Sequence, residues 1–373
     1  MNSKYDAIRP FYDHEVNVAI QSIMHDPMMT AIMHYTFPDK TETERLDILR
    51  SINSTQSFQG SIVYFALKRI LAQSSEGLTT SGFEKLDKNT AYLYISNHRD
   101  ILLDTSLINF TLYEHEMILT ASAIGDNLVR MPFLNTLSRI NRNFLVLRGL
   151  SPRELLQSSR TMSEYVHELL TKDNRSVWIA QREGRTKDGN DATHTGVLKM
   201  LSMAAGKENV GAYFKRLRIV PISISYEYDP TDSLKLPELL AVKNNQTYVK
   251  HEKEDFNSIM KGLTGQKKRI HISAGEVLDS EMDDIIALDN ANQQIKALAQ
   301  LIDTQIIGHY KLWASNYIAY DLLHETNTYA AHYSEAEKQT FAERIRTKAE
   351  NNDEARLLLL TMYANPVVNA LGH

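Results

Sequence analysis

The alternation of short β-type runs with helical segments is the feature of this sequence that most restricts its fold. Four apolar runs rich in aromatic and branched side chains follow one another, and each ends where polar or charged residues begin: 92–95, 117–121, 144–147 and 177–180. Helical segments separate these runs. The start signal Ser151-Pro152-Arg153-Glu154, for example, predicts a helix that continues to about Leu170. This order predicts an α/β fold with a central mixed, largely parallel sheet flanked by helices.

The remaining sequence predicts helical additions at both ends of this α/β domain. Apolar residues recur at helical spacing in 15–78, so residues 1–80 are expected to form an N-terminal helical region. The α/β domain is expected over 81–280, with an insertion of short helices and loops at 229–265. Residues 281–373 are expected to be helices packed on the same domain. Within the domain, 219–226 and 270–273 predict two further strands, and Pro221 indicates an edge strand or a strand beginning.

Composition excludes several classes of function. The net charge of −5, from 41 basic and 46 acidic residues among 373, provides no global attraction for nucleic acid. The absence of cysteine excludes disulfides, thiolate metal sites and a cysteine nucleophile, and it fits a reducing compartment. The first ten residues lack the apolar core of a secretory signal. The longest apolar runs, such as 357–363, fall short of the roughly twenty residues that a spanning helix needs.

Three polar positions are expected to meet at one edge of the sheet. His98, Arg148 and the triplet Glu183-Gly184-Arg185 each lie just after a predicted strand. Ligands of such sheets bind beyond the carboxyl ends of the strands. The sequence therefore predicts a site at this edge.

His98 is the candidate general base. A neutral imidazole can take a proton from a hydroxyl when a carboxylate holds its other ring nitrogen, and both Asp100 and Asp104 could supply that carboxylate. A six-residue separation places Asp104 about 240° from His98 around an ideal helix, so this contact requires a His98 outside the helix. We favour Asp104. Asp100 is the competing partner, or it caps a helix that begins near Ile101.

The residue types favour direct attack by a substrate hydroxyl. The chain has neither cysteine nor a Gly-x-Ser-x-Gly elbow, so it offers no obvious nucleophile for an acyl-enzyme. Arg148 and Arg185 could hold a phosphate through charge-assisted hydrogen bonds. A histidine and two arginines at one edge therefore predict a phosphorylated alcohol as substrate. A metal hydrolase is disfavoured, because no second ligand cluster such as His-Glu-x-x-His is present.

These residues resemble the glycerol-3-phosphate and lysophosphatidate acyltransferases. The sequence contains four similar blocks in the same order: Asn97-His98 followed by Asp104, Leu145-Val146-Leu147-Arg148, Glu183-Gly184-Arg185-Thr186-Lys187, and Ile219-Val220-Pro221-Ile222. Two further stretches look closer to the glycerol-phosphate branch, Thr195-Gly196-Val197-Leu198 and Tyr226-Glu227. The first block has one more residue between histidine and aspartate than is usual in the family. In the third block the arginine stands two positions after glutamate rather than three.

The resemblance implies an acyltransferase that uses no metal and no cofactor. His98 would deprotonate the hydroxyl of glycerol 3-phosphate, an aspartate would orient His98, and the donor would be acyl-CoA or acyl carrier protein. Roles in substrate binding are implied for Asn97, Arg148, Glu183, Gly184 and Arg185. Because the product stays in a bilayer, we expect a cytoplasmic protein bound peripherally to the inner face of the membrane. The alternatives are lysophosphatidate as acceptor, or a degenerate protein that only binds lipid or carrier protein.

Overall fold

Seven strands form one mixed sheet in the computed structural model, which describes residues 3–372. The strands lie in the order β1-β7-β6-β2-β5-β3-β4. The five strands β2 to β6 run in one direction, whereas β7 is antiparallel to β6 and parallel to β1. This confirms the predicted mixed, largely parallel α/β fold. Their bounds are β1 Ser75–Ser81, β2 Leu93–Ser96, β3 Ala121–Gly125, β4 Asn143–Val146, β5 Val177–Ala180, β6 Ile219–Tyr226 and β7 Lys268–Ala274.

Both faces of the sheet are buried, which explains why its central strands are almost continuously apolar. Along β2, Leu93 and Ile95 enter one core cluster, while Tyr94 enters the cluster on the opposite face. The first cluster packs beneath the helices before and after β5, the helix before β6 and two helices that follow β7. The second lies beneath the helices on either side of β2. Every residue of β2 is consequently buried.

Five α-helices precede the sheet, and a π-helix, Gln59–Val63, joins the last two of them. The apolar faces of the first four form a third core cluster together with Phe133 and Ile140, which belong to a helix of the α/β domain, whereas the fifth packs in the second cluster. The N-terminal helices are therefore packed on that domain. They are α1 Asp13–Ile23, α2 Pro27–Thr36, α3 Glu42–Ser51, α4 Thr55–Phe58 and α5 Tyr64–Ser74.

Twelve further α-helices of the described range connect the strands or follow β7. The helix predicted from Ser151 is confirmed, because Ser151 and Glu154 form a capping box at its start. The helices up to β7 are α6 Leu103–Glu114, α7 Pro132–Ile140, α8 Pro152–Thr171, α9 Thr195–Leu201, α10 Val210–Arg216, α11 Asp232–Lys243 and α12 Glu254–Thr264. Those after it are α13 Glu281–Ile286, α14 Ala291–Gly308, α15 Ala314–His324, α16 Glu335–Lys348 and α17 Asp353–Leu371. Short 3₁₀ turns lie at Phe83–Lys85, Asp126–Leu128, Ser202–Ala205 and Ala330–His332.

Two boundaries of the sequence-based prediction were wrong. The N-terminal helical region ends at Ser74, and β1 follows it as a partly exposed strand without an alternating apolar pattern. The strand predicted at 117–121 begins only at Ala121. The backbone before it is tied to α6 instead, because Met117 N donates to Leu112 O and Thr120 N donates to Asn109 Oδ1. The apolar side chains there pack beneath α6 in the second core cluster.

Pro221 does not mark an edge strand. β6 lies inside the sheet between β7 and β2, and Pro221 is its third residue. The pairing of β6 with β7 starts at Ile222, one residue after Pro221. Pro221 therefore lies outside this ladder, where its missing N–H costs no hydrogen bond to β7. The sequence allowed either an edge strand or a strand beginning for Pro221, and the structure agrees with the strand beginning.

None of the helices in residues 3–372 has both the length and the apolar character required to cross a membrane.

Candidate active site

His98 lies two residues beyond the carboxyl end of β2, in a loop that precedes α6. Its Nδ1 lies 2.8 Å from Oδ2 of Asp104, near the start of α6. The edge of the ring contacts Trp178 of β5 at a centroid distance of 5.7 Å, and 13% of the side chain is exposed. Because a carboxylate can only accept, the His98 nitrogen facing Asp104 carries a proton, so Nε2 is the proton-free nitrogen whenever the imidazole is neutral.

The carboxylate of Asp104 is fully buried and accepts four hydrogen bonds. Oδ2 accepts from His98 and also from the backbone N–H groups of Arg99 and Asp100, at 2.6 and 2.9 Å. Oδ1 accepts from the Tyr226 hydroxyl at 2.9 Å. The helix begins only at Leu103, so the loop between His98 and Leu103 accommodates the six-residue separation.

Asp100 lies beside this pair but does not contact His98. Its Oδ1 accepts from the backbone N–H groups of Leu102 and Leu103, so it caps the start of α6. Its Oδ2 is buried without a hydrogen-bond partner in the described chain and lies against Gly262 of α12. Burial, and then the charge of Asp104, raise the pKa of Asp100 to about 6.

Asn97 is fully buried and acts within the fold. Its side-chain amide donates to the carbonyl of Ile224, and its amide oxygen accepts from Ile224 N at 2.8 Å. The side chain thus continues the pairing of β2 with β6 past the end of β2. The structure leaves no open face of Asn97 for a substrate.

Arg148 and Glu183 lie together at the carboxyl edge of the sheet. They follow β4 and β5, their side chains form an ion pair, and they are 41% and 70% exposed. The backbone N–H of Arg148 is bonded to Asp126 in the loop after β3. The loops after the three neighbouring strands β3, β4 and β5 therefore meet here.

Arg185 lies in different surroundings from Arg148. Its guanidinium is buried, and it reaches Thr231 and Ser258 only at 3.5 and 3.4 Å, beneath the insertion that carries α11 and α12. Gly184, just before it, has φ +71°, a conformation that turns the chain between the exposed Glu183 and the buried Arg185. The two arginines do not share one pocket.

Asp191 is a site residue that sequence reasoning missed. It is buried and accepts from Arg99 at 2.6 Å, from Thr186 at 2.7 Å and from the Tyr310 hydroxyl. It thereby joins the loops after β2 and β5 to the chain just after α14. No local pattern marks this aspartate, because its partners Arg99 and Tyr310 are 92 and 119 residues away in sequence.

Two open clefts lie near these residues. One, of about 380 Å³, runs along α6 from Thr105, directly after Asp104, to Tyr113, and its apolar lining includes Val63, Leu67 and Phe110. The other, of about 450 Å³, lies at the end of β6 and is lined by residues that include Arg99, Tyr226, Tyr310 and Lys311. Residues 3–372 contain no group of three or more histidine, aspartate or glutamate side chains placed to hold a metal ion.

Comparison with known proteins supports the acyltransferase family for the part of the chain that carries the site. Residues 77–225, from β1 into β6, match the family model described as Acyltransferase. No curated protein matches the sequence. One similar solved structure is that of the 1-acyl-sn-glycerophosphate (LPA) acyltransferase PlsC from Thermotoga maritima. It has 12% sequence identity and a TM-score of 0.41, over 77% of this chain and 91% of that chain.

The geometry predicts different outcomes for the two aspartates. Asp104→Asn should lower the catalytic rate by roughly 10²- to 10⁴-fold, because the amide cannot hold Nδ1–H of His98 as a carboxylate does. Asp100→Asn should retain most of the rate, because its oxygen can still cap α6. The measurement is the rate of thiol release from an acyl thioester. Equal losses in both variants would contradict these assignments.

The pH dependence of stability provides the check on Asp100. Its pKa in the folded protein, about 6, exceeds the ordinary value of 3.8, so the stability that protonated Asp100 contributes is lost as pH rises from about 4 to 6. The difference is on the order of 3 kcal/mol, at 1.36 kcal/mol per pKa unit. As pH rises from 4.5 to 7.5, the free energy of unfolding of Asp100→Asn, measured in urea, should therefore increase relative to that of the wild type. A difference between the two proteins that does not change with pH would contradict this.

Proposed function

We propose that this protein transfers a fatty acyl group from an acyl thioester to the hydroxyl of glycerol 3-phosphate. The observation that carries the proposal is the His98–Asp104 pair, which lies at the carboxyl edge of the sheet within the segment that matches the acyltransferase model. An imidazole held at Nδ1 by a buried carboxylate is suited to take a proton at Nε2.

In the proposed reaction His98 removes the proton of the acceptor hydroxyl as its oxygen attacks the thioester carbonyl. The carbon–oxygen bond forms, the carbon–sulfur bond breaks, and the proton on His98 passes to the departing thiolate. Asp104 stabilises the imidazolium that exists between these proton transfers. No acyl group is attached to the protein.

Arg148 is the proposed contact for the acceptor phosphate. It is exposed at the carboxyl edge of the sheet, and its ion-pair partner Glu183 is itself 70% exposed. An exposed ion pair is weak, so a phosphate can compete for the guanidinium. Arg185 would instead hold the insertion against the loop after β5. Lysophosphatidate remains the second candidate acceptor, because it presents the same phosphate and a free hydroxyl.

A kinetic comparison of two variants tests the function. Wild-type protein should release thiol from acyl-CoA, or from acyl carrier protein, only when the acceptor is present, and His98→Ala should lose at least about 10²-fold in rate. Arg148→Ala should raise the KM of the acceptor more than that of the donor, because it removes a contact to the phosphate.

The outcomes separate the competing functions. A folded His98→Ala protein with full activity would end the proposed mechanism. Binding of acyl donor without any release would identify a degenerate binding protein. A preference between glycerol 3-phosphate and lysophosphatidate as acceptors would decide the substrate.

The cleft along α6 is the proposed site of the acyl chain. It starts one residue from Asp104, and its lining combines aliphatic side chains with the rings of Tyr64, Phe110 and Tyr113. An apolar cleft of this kind favours burial of a hydrocarbon chain by the hydrophobic effect.

Narrowing this cleft should shift the choice of acyl donor. Val63→Phe enlarges a side chain that lines it, so long-chain thioesters should lose more kcat/KM than short-chain ones, by about tenfold or more for a few excluded methylenes. Val18→Phe, at an exposed position of α1, is the matched control. Equal effects on all chain lengths would place the chain elsewhere.

A basic surface at the same edge supports contact with a membrane. Segment 126–160, which contains α7 and the first half of α8, has four exposed arginines and two acidic residues in a chain of net charge −5. Leu155 and Leu156 at the start of α8 and Met131 before α7 are more than half exposed. Both helices begin beyond the carboxyl ends of β3 and β4, beside Arg148. Arginines attract anionic headgroups, and exposed apolar side chains favour insertion.

Vesicle sedimentation tests this surface. The protein should bind vesicles that contain anionic phospholipid, more weakly at high salt, and the double variant Leu155→Ser/Leu156→Ser should bind about tenfold or more weakly. The control is Val242→Ser/Leu357→Ser, which removes two exposed apolar side chains of α11 and α17. Equal loss in both double variants would rule out a specific role for α8.

A further inference from the structure

Tyr226 is the last residue of β6, and its side chain reaches Asp104 across the end of β2. The parallel register of the two strands ends at Ser96 opposite Ile222. β6 therefore extends four residues past the end of β2, alongside the loop that carries His98. This extension brings the Tyr226 hydroxyl within 2.9 Å of Oδ1 of Asp104, 122 residues away in sequence.

The side chain of Asn97 fixes this extension of β6. Two of its hydrogen bonds hold both the N–H and the carbonyl of Ile224, two residues before Tyr226. Residues two apart on a strand point to the same face, and Ile224 and Tyr226 both enter the core cluster beneath α6. The residue before the catalytic histidine thus sets the position of the tyrosine.

The Tyr226 hydroxyl can act only as a donor towards Asp104. Burial, and then the negative charge of Asp104, raise the pKa of Tyr226 well above its ordinary value, so the phenol stays protonated. Tyr226 also lines the 450 Å³ cleft, whereas the carboxylate of Asp104 is fully buried and does not line it. The tyrosine satisfies the second oxygen of Asp104.

We propose that Tyr226 is a positioning residue for the His98–Asp104 pair, an inference that rests on the proposed function. By occupying Oδ1, the hydroxyl fixes the plane of the carboxylate so that Oδ2 faces Nδ1 of His98. The hydrogen bond from Tyr226 also withdraws negative charge from Oδ2, the oxygen of Asp104 that stabilises the His98 imidazolium. Tyr226 thereby sets how strongly His98 holds its proton during acyl transfer.

Other charged groups that act on this pair come from several elements. Arg99 and Asp100 lie in the same loop, and Asp229 follows β6. Arg185 and Lys267 interact with Asp100. Because Tyr226→Phe leaves all of these in place, a change in the pH profile reports on the lost hydroxyl.

The test compares the steady-state kinetics of acyl transfer in Tyr226→Phe, Tyr94→Phe and the wild-type protein. Tyr94 is a buried tyrosine of the neighbouring strand β2 whose hydroxyl has no hydrogen-bond partner in the described chain. Tyr226→Phe should lower kcat about tenfold, the size expected for one hydrogen bond to a charged group. The KM values should stay within about twofold, because the hydroxyl is hydrogen-bonded to Asp104. Tyr94→Phe should match the wild type.

The acid limb of the kcat/KM profile should move to higher pH in Tyr226→Phe. Without the donor, more negative charge faces His98, so the imidazolium persists to higher pH. Incorporation of 3-fluorotyrosine at position 226 keeps the ring and strengthens the donor, so the limb should move the opposite way. A Tyr226→Phe protein with wild-type kcat and pH profile would overturn the proposal, as would identical shifts in both 226 variants.

A readout without catalysis separates this inference from the proposed function. The low-field proton NMR signal of Nδ1–H, assigned by its loss in His98→Ala, should shift in Tyr226→Phe and stay unchanged in Tyr94→Phe. A wild-type protein that transfers no acyl group but shows this shift would refute the function and keep the positioning role. An unchanged signal in an active Tyr226→Phe protein would refute the positioning role alone.

Discussion

The buried carboxylate of Asp104 is the group on which the rest of the site depends. An anion removed from water is costly unless donors surround it, and Asp104 obtains four of them. Two are loop backbone groups, one is the imidazole of His98, and one is a hydroxyl from β6. Because losing one partner leaves the charge partly unsatisfied, this single carboxylate locks the loop, α6 and β6 into one arrangement.

The site also explains how an unusual spacing is tolerated. His98 and Asp104 are six residues apart, and no regular helix would bring them together. The loop resolves this by staying non-helical until Leu103, with Asp100 capping the helix that follows. The backbone N–H groups of this irregular loop donate hydrogen bonds to the carboxylate of Asp104. The six-residue separation therefore does not keep the pair apart.

Local patterns predicted the parts of the molecule that local physics determines. The strands at β2, β4, β5 and β6 and the helix after Ser151 follow from apolar runs and capping residues in adjacent sequence. β1 escaped prediction because a polar edge strand has no alternation to detect. The approach of His98, Arg148 and Glu183 to one edge followed from parallel topology. The burial of Arg185, and the contacts of Asp191 and Tyr226, depend on partners far away in sequence, which only the folded chain brings together.

The reversed direction of β7 determines where the 229–265 segment can lie. β6 ends at the carboxyl edge of the sheet, and because β7 is antiparallel to it, β7 starts at that same edge. The chain between them does not have to cross a face of the sheet, so both ends of this connection lie at the carboxyl edge, the edge that carries the loop of His98. Its helices α11 and α12 can therefore cover the loops beyond β2 and β5, with Ser258 beside Arg185 and Gly262 against Asp100.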